Sequence, residues 1–581
     1  MTKKSVFILI STIITTSLFL AACGGAVAPQ ATAAPRIGNL GSDNSGGGDA
    51  ATQPAGDNTP TAAAPAPAAD SGTTPAPAKG NMLADLGFRS DKDGFIFQNY
   101  GPGFTDLTPE EMNRIYGDVV CANKTDGKCT LIPPAQQWME QVNTAMSGGH
   151  CYGFAAASLL FYKKSLNTAD FGGSSMADLK IEGNDKLQRE LAKDWTGQKF
   201  DTVRSQVIGG TPVQVLDKLI DALKAGTSGE SYIFAFFKRD GSGGHAVTPF
   251  AVEDRGNGIN AVLLYDNNYP KDQREMIVDR NANTWKYEAS INPSVKSELY
   301  EGDAQTQSLY LYPVSPAASQ QACTFCAAGP TASKASGLAS APSNFNEIWM
   351  DGAGDLLITD KAGHKLGRVD GKMVNEIPGA SYEINLSDTY STDVEPTYRV
   401  PADVEFEMSI DGTNLKEKTQ TNVVVIGPGY DLGVEGIALD PGQKDTMNVS
   451  TTDNRVSYQT TSSESPSFII GLQRAGADYE FDVKGAAMDG GGTLNVYIDP
   501  KKGDLVVNAE EIKKDASIGM VMTRIDDKTE ETFENDAVSL KAGDLLYVDY
   551  ADWKGNNTPI NMTIMDSKGT VLDQFSSADQ K

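Results

Sequence analysis

Two low-complexity stretches of this chain together fix where folded domains are expected to lie. Residues 24–80, from "GGAVAPQATAAPRIG" to "TAAAPAPAADSGTTPAPAKG", are Ala, Pro, Gly, Ser and Thr with almost no large apolar side chains. Such a segment buries too little surface to offset its conformational entropy, so 23–80 reads as a disordered, partly extended tether. A second stretch, 315–344 ("SPAASQQACTFCAAGPTASKASGLASAPSN"), has the same character and reads as a linker carrying a CxxC pair. Folded structure is therefore expected over 81–314 and 345–581, long enough together for two to four domains with real cores.

The N-terminus supplies an address. "MTKKSVFILISTIITTSLFLAACGG" places two lysines before an apolar run of about fifteen residues, the length of a signal-peptide core and short for a membrane span. The run ends in Leu20-Ala21-Ala22-Cys23, which resembles the lipobox of bacterial lipoproteins. The resemblance implies a signal peptide over 1–22, a diacylglycerol on Cys23, and a protein anchored to the bacterial cell envelope on its extracytoplasmic side. No later stretch is apolar for long enough to cross a membrane, so the lipid is the expected membrane contact. The chain has 49 basic against 76 acidic residues, net −27. That balance repels phosphate backbones and anionic lipid, which argues against nucleic acid as a partner.

Within 81–314, helix signals come first. "TPEEM" sets Thr108 as N-cap, Pro109 at the first helical position and Glu111 three residues after the cap, a capping box. "PPAQQWMEQVNTAM", "GNDKLQRELAKDW" and "TPVQVLDKLIDALKAG" have helical apolar spacing. Strand patterns follow in "SYIFAFFKRD", "GGHAVTPFAVED", "NAVLLYDNNYP", "REMIVDR", "TWKYEA" and "SLYLYPV". A helical half followed by an antiparallel sheet predicts an α+β domain. From 345 onward, short alternating strands and Gly/Asp turns predict one or two all-β sandwiches, divided here as 345–428 and 429–581.

Six cysteines are present. Cys23 is the lipid site; Cys121 and Cys129 flank "CANKTDGKC", and Cys323 and Cys326 form "CTFC". Outside the cytoplasm these four are expected to form two disulfides that cross-link the two ends of the domain, with connectivity left open. A zinc site is disfavoured by the wide first spacing, and a CxxC redox motif by its Pro/Ala/Ser-rich setting.

Cys151, in "GGHCYGF", has no such use. Gly148 and Gly149 end one helix and "CYGFAAASLLFYKK" begins another, which places the thiol at a helix N-terminus, where a thiolate is stabilised. The plainer reading is a small buried hydrophobe. Two further groups weigh against it: His245 opens the strand "GGHAVTPFAVED", and Asp266-Asn267-Asn268 ends the next. If the two strands pair through the "RGNG" turn, their far ends meet, and an Asp or Asn reaches the imidazole. Cysteine, histidine and an orienting carboxylate or amide are the parts nucleophilic acyl transfer requires.

These residues resemble the motifs of the papain-like cysteine peptidases. The nucleophile motif Cys-Trp-Ala-Phe-Ala/Ser-Ala is matched by Cys151-Tyr152-Gly153-Phe154-Ala155-Ala156, and Asn-His-Ala-Val-Thr/Leu by Gly244-His245-Ala246-Val247-Thr248. Asn-Ser-Trp-Gly is echoed in Asn267-Asn268-Tyr269-Pro270. The resemblance implies a papain-like domain over 81–314, with Cys151 as nucleophile, His245 as general base and then acid, and Asn267 as the orienting amide. Tyr269 would shield that contact. The related bacteriocin-processing peptidases use an aspartate in the third role, which would be Asp266. Adjacent strand residues face opposite ways, so only one can serve; Asn267 is preferred.

The family's oxyanion-hole glutamine lies six residues before its cysteine, where this chain has Ala145; Gln141 is taken as the candidate donor, with Asn143 also close by. No stretch of this chain reads as an inhibitory pro-segment. His150, beside the nucleophile, reads as a partly exposed loop residue, and His364 as a structural turn residue. "SDKDGF" opens like a calcium loop but lacks its later ligands, and no phosphate loop or dinucleotide fingerprint appears, so neither metal nor cofactor is expected.

Two functions fit these residues. One is a surface-anchored thiol hydrolase acting on peptide or amide bonds of a peptide or protein substrate. The other is a non-catalytic binding or adhesion lipoprotein that keeps a papain-like scaffold, with surface glycan or protein as the ligand of its β domains.

Overall fold

The computed structural model describes residues 80–577 apart from 291–292, 294–295, 328–344, 387–394, 452 and 556–557. The signal peptide, the lipid site Cys23, the tether and most of the 315–344 linker lie outside the described residues.

The capping box at Thr108 forms as its residues dictate. The Thr108 hydroxyl and backbone N–H donate to the Glu111 carboxylate at 2.5 and 3.3 Å, and the helix Pro109–Tyr116 begins there. Helices Pro133–Met146, Asp185–Trp195 and Pro212–Ala225 coincide with the three apolar-spaced stretches. Between them runs Cys151–Tyr162, buried on nearly every face, as a helix without a polar side must be. Gly153 lets it approach Asp185–Trp195: a Cβ there would stand 2.1 Å from the Leu191 carbonyl oxygen.

Nine strands of this half form one antiparallel sheet. Its order runs Glu298–Asp303, Thr284–Ala289, Gln273–Asp279, Ile259–Tyr265, His245–Gly256, Tyr232–Phe236, Leu309–Pro313, Ile208–Gly210. Asn81–Asp85 adds to His245–Gly256. The His245–Gly256 and Ile259–Tyr265 hairpin turns at the "RGNG" sequence, and Phe236 stands opposite His245. Pro212–Ala225 packs Val215, Leu216 and Leu219 against one face of the sheet, while Cys151–Tyr162 lies against the His245 strand from the other side through Ser158 and Thr248, 2.9 Å apart.

Residues 345–577 form a sandwich of two antiparallel sheets of nine and eleven strands. Alternate residues of both sheets fill one shared core: Ile348, Val425, Leu432 and Phe481 from the first, Leu356, Met408, Val496 and Leu546 from the second. The boundary expected at 428/429 falls within a hairpin, where Gly427 pairs with Tyr430, and both sheets run through it without a break. The opposite residues of the nine-stranded sheet face the helical half. Trp349, Val424 and Ile426 share a core with Trp138, Met139 and Cys151, so the two halves are packed as one body.

The disulfides require a correction. They are Cys121–Cys129 and Cys323–Cys326, each local, and neither joins the domain's ends. The physical reason is that Cys121–Thr125 and Lys128–Leu131 pair as a hairpin, which brings the first two Cα atoms to 5.3 Å. The two bridges still adjoin: Cys326 Sγ lies 3.5 Å from the Val119 carbonyl oxygen.

Candidate functional site

Gly149, at φ 146°, turns the chain from one helix into the next, and the His150 backbone N–H is taken by the Asn99 side chain at 2.9 Å. Cys151 is then the first residue of its helix, wholly buried and outside both disulfides. His150 is not the partly exposed loop residue expected. Its ring is enclosed, with Nδ1 2.9 Å from the Tyr100 carbonyl and Nε2 2.8 Å from Asp106. The reason is local: the loop 99–106 folds back over the helix start, and the imidazole pins it there.

His245 is the first residue of its strand. Its Nε2 faces Asp266 Oδ1 at 2.9 Å. The same carboxylate accepts the Tyr287 hydroxyl at 2.5 Å and the Asn268 backbone N–H at 2.9 Å. Burial alone would raise the Asp266 pKa, but the His245 charge and these hydrogen bonds outweigh it and hold the group below the usual carboxylate range.

Asn267 points the other way. Its amide donates to the Cys151 carbonyl at 3.1 Å and to the Ala246 carbonyl at 2.9 Å. The residue preferred for the third role therefore ties the backbone of the thiol residue to the histidine strand, and the aspartate meets the imidazole. The alternation of neighbouring side chains accounts for both placements. The Tyr269 hydroxyl bonds Ser297 at 2.7 Å and Arg274 stacks on its ring. Phe236 stands edge-on to His245 and to Tyr287.

Gln141 requires a second correction. It lies on the face of its helix that meets the β half, where its side chain bonds Asp351 rather than approaching Cys151. Asn143 is likewise engaged, bonding the Leu107 backbone twice at 3.0 Å. The amide near the thiol is Gln198, which sequence reasoning missed. Gln198 Nε2 donates to the Leu386 carbonyl at 3.3 Å, the same oxygen that lies 3.7 Å from Cys151 Sγ. No spacing rule points to it, because it sits 47 residues beyond the cysteine instead of six before it.

His364 bonds Asp360 within an exposed turn. Among the described residues no group of three or more His, Cys, Asp or Glu is arranged to hold a metal ion. Comparisons with protein-family models, curated proteins and solved structures found no match to the chain.

Proposed function

We propose that this chain is a thiol hydrolase of papain-like type, acting on peptide or amide bonds and held at the outer face of a bacterial membrane by lipid on Cys23. One observation carries the reading: consecutive residues at one strand end engage both partners, Asp266 on the His245 ring and Asn267 on the Cys151 carbonyl. With Nε2 committed to Asp266, Nδ1 is the ring nitrogen that would exchange a proton with the thiol. The thiolate adds to the acyl carbon; the amine then leaves with the proton from His245, giving a thioester. Water, deprotonated by the same imidazole, attacks the thioester and returns the thiol with release of the acid.

The test is the pH dependence of Cys151 alkylation in the full chain, read at the Cys151 peptide by mass spectrometry, with and without His245→Ala. The profile's midpoint reports the thiol pKa whatever the absolute rate. A midpoint below 7 that moves toward about 8.5 in the variant is expected. A midpoint indifferent to His245 would favour the second reading, a binding lipoprotein, which the complete burial of Cys151 supports.

A further inference from the structure

The residues that cover Cys151 come from the other half of the chain. After the short edge strand Ser381–Glu383, which pairs with Thr397–Pro401 of the nine-stranded sheet, Ile384–Leu386 crosses to the thiol. Gln198 grips the backbone of Leu386 at both polar atoms. Its Oε1 accepts the Leu386 N–H at 2.6 Å, and its Nε2 donates to the Leu386 carbonyl at 3.3 Å. That carbonyl is the one facing the sulfur. The Leu386 side chain is fully buried in the core that holds Cys151, Phe237 and Ala246. Beside it Gly244 has no room for a side chain, since a Cβ would stand 3.2 Å from Leu386 Cδ2 and 2.5 Å from the Phe237 ring. The segment is moored just upstream: Glu383 pairs with Arg204, with Lys199 at 3.8 Å and Arg399 at 3.6 Å.

A side-chain amide that satisfies both the N–H and the C=O of one residue recognises peptide backbone irrespective of its side chain. The apolar surroundings of Leu386 add a preference for a hydrophobic residue at that position. We propose that the groove beside Cys151 is a site for an extended peptide with an apolar side chain on the residue whose carbonyl faces the sulfur, that Gln198 is its backbone clamp and the amide donor to that carbonyl, and that Ile384–Leu386 occupies it as an internal competitive inhibitor. For the chemistry after binding, the inference rests on the hydrolase reading. No stretch before the thiol reads as an inhibitory segment; here the inhibitor lies after it in the chain, within the β half.

The experiment measures the rate at which iodoacetamide alkylates Cys151 in the full chain, in Leu386→Ser and in Arg204→Ala. Both variants are expected to react about tenfold faster than the parent, as release of a local cover implies. A peptide spanning the chain's own Glu383–Leu386, blocked at both ends, should slow the Leu386→Ser variant again, and should fail to do so when Gln198→Ala is added. Near-UV circular dichroism reports folding; should Leu386→Ser lose its native signal, Arg204→Ala, which removes the pair with Glu383 and a 3.4 Å contact to Asp201, decides. Parental rates in a folded variant, or no protection by the peptide, overturn the proposal. Faster alkylation with a pH midpoint indifferent to His245 would uphold the groove while removing the hydrolase reading.

Discussion

Asp266 and Asn267 differ by one position and have opposite tasks. Asp266 presents a charge to an imidazole; Asn267 presents an amide to two backbone carbonyls. The charge is what an imidazolium needs from its neighbour, so Asp266→Asn is expected to shift the alkylation midpoint of Cys151 upward toward about 8.5 and slow the reaction at pH 6.5. An unshifted midpoint would make Asp266 a determinant of folding only. The same residue shapes acid stability. Its native pKa lies below the unfolded value, so its contribution is present above about pH 4 and is lost as pH falls through the native value. Asp266→Asn should flatten that acid limb.

The helix Pro133–Met146 meets the nine-stranded sheet through Trp349, Val424 and Ile426, and the same sheet face also carries acids. Asp351, Asp431, Glu435, Glu480 and Asp482 share the outer sheet face, with Glu140 exposed at the helix rim. Burial pushes Asp351, Glu435 and Glu480 up to about 7, and Asp431 and Asp482 also upward. Lys484 pairs with this set, 3.5 Å from Asp482. Room for Asp431 depends on Gly471, whose Cβ would lie 1.9 Å from the carboxylate oxygen. Acids whose native pKa exceeds the unfolded value bind protons more tightly when folded. Their stabilisation is complete below about pH 4 and declines as pH rises toward 7. The unfolding temperature of the full chain is therefore expected to be higher at pH 5.5 than at pH 8. Glu480→Gln should reduce that difference, as calorimetry at the two pH values would register; an equal difference would contradict the assignment.

Across the whole molecule, the sandwich supplies both the wall and the cover of the thiol site. Arg399 is a buried polar tie between the halves: it bonds Glu347 at 2.6 and 3.0 Å and Asp201 of the helical half at 2.6 Å, while Trp138 donates to Glu347 at 3.1 Å. Breaking a buried pair strands its partner, so Arg399→Ala is expected to cost about 3–5 kcal/mol. Because the halves share one core, that loss should appear as a downward shift of the whole denaturant transition. A separate early step confined to one half would show that the halves fold independently.

Much of the local structure was legible because its causes are local. Thr108, Pro109 and Glu111 contain their helix start within four residues, and the Pro133–Met146 stretch carries its own apolar spacing. The "RGNG" turn is enough to set His245 and Asp266 at the same end of two strands. Tertiary structure alone decided the rest. Asp266 or Asn267 at the imidazole depends on which way the chain leaves its strand. Gln141 faces Asp351 because the sandwich sits against its helix, and the 428/429 boundary dissolves because two sheets share one core. Gln198 and Leu386 meet across 188 residues of sequence. Hydrogen bonds and packing at that separation leave no periodicity to read, so the sequence by itself determined which residues could do chemistry, and the packing of the two halves decided which amide stands beside the thiol and what covers it.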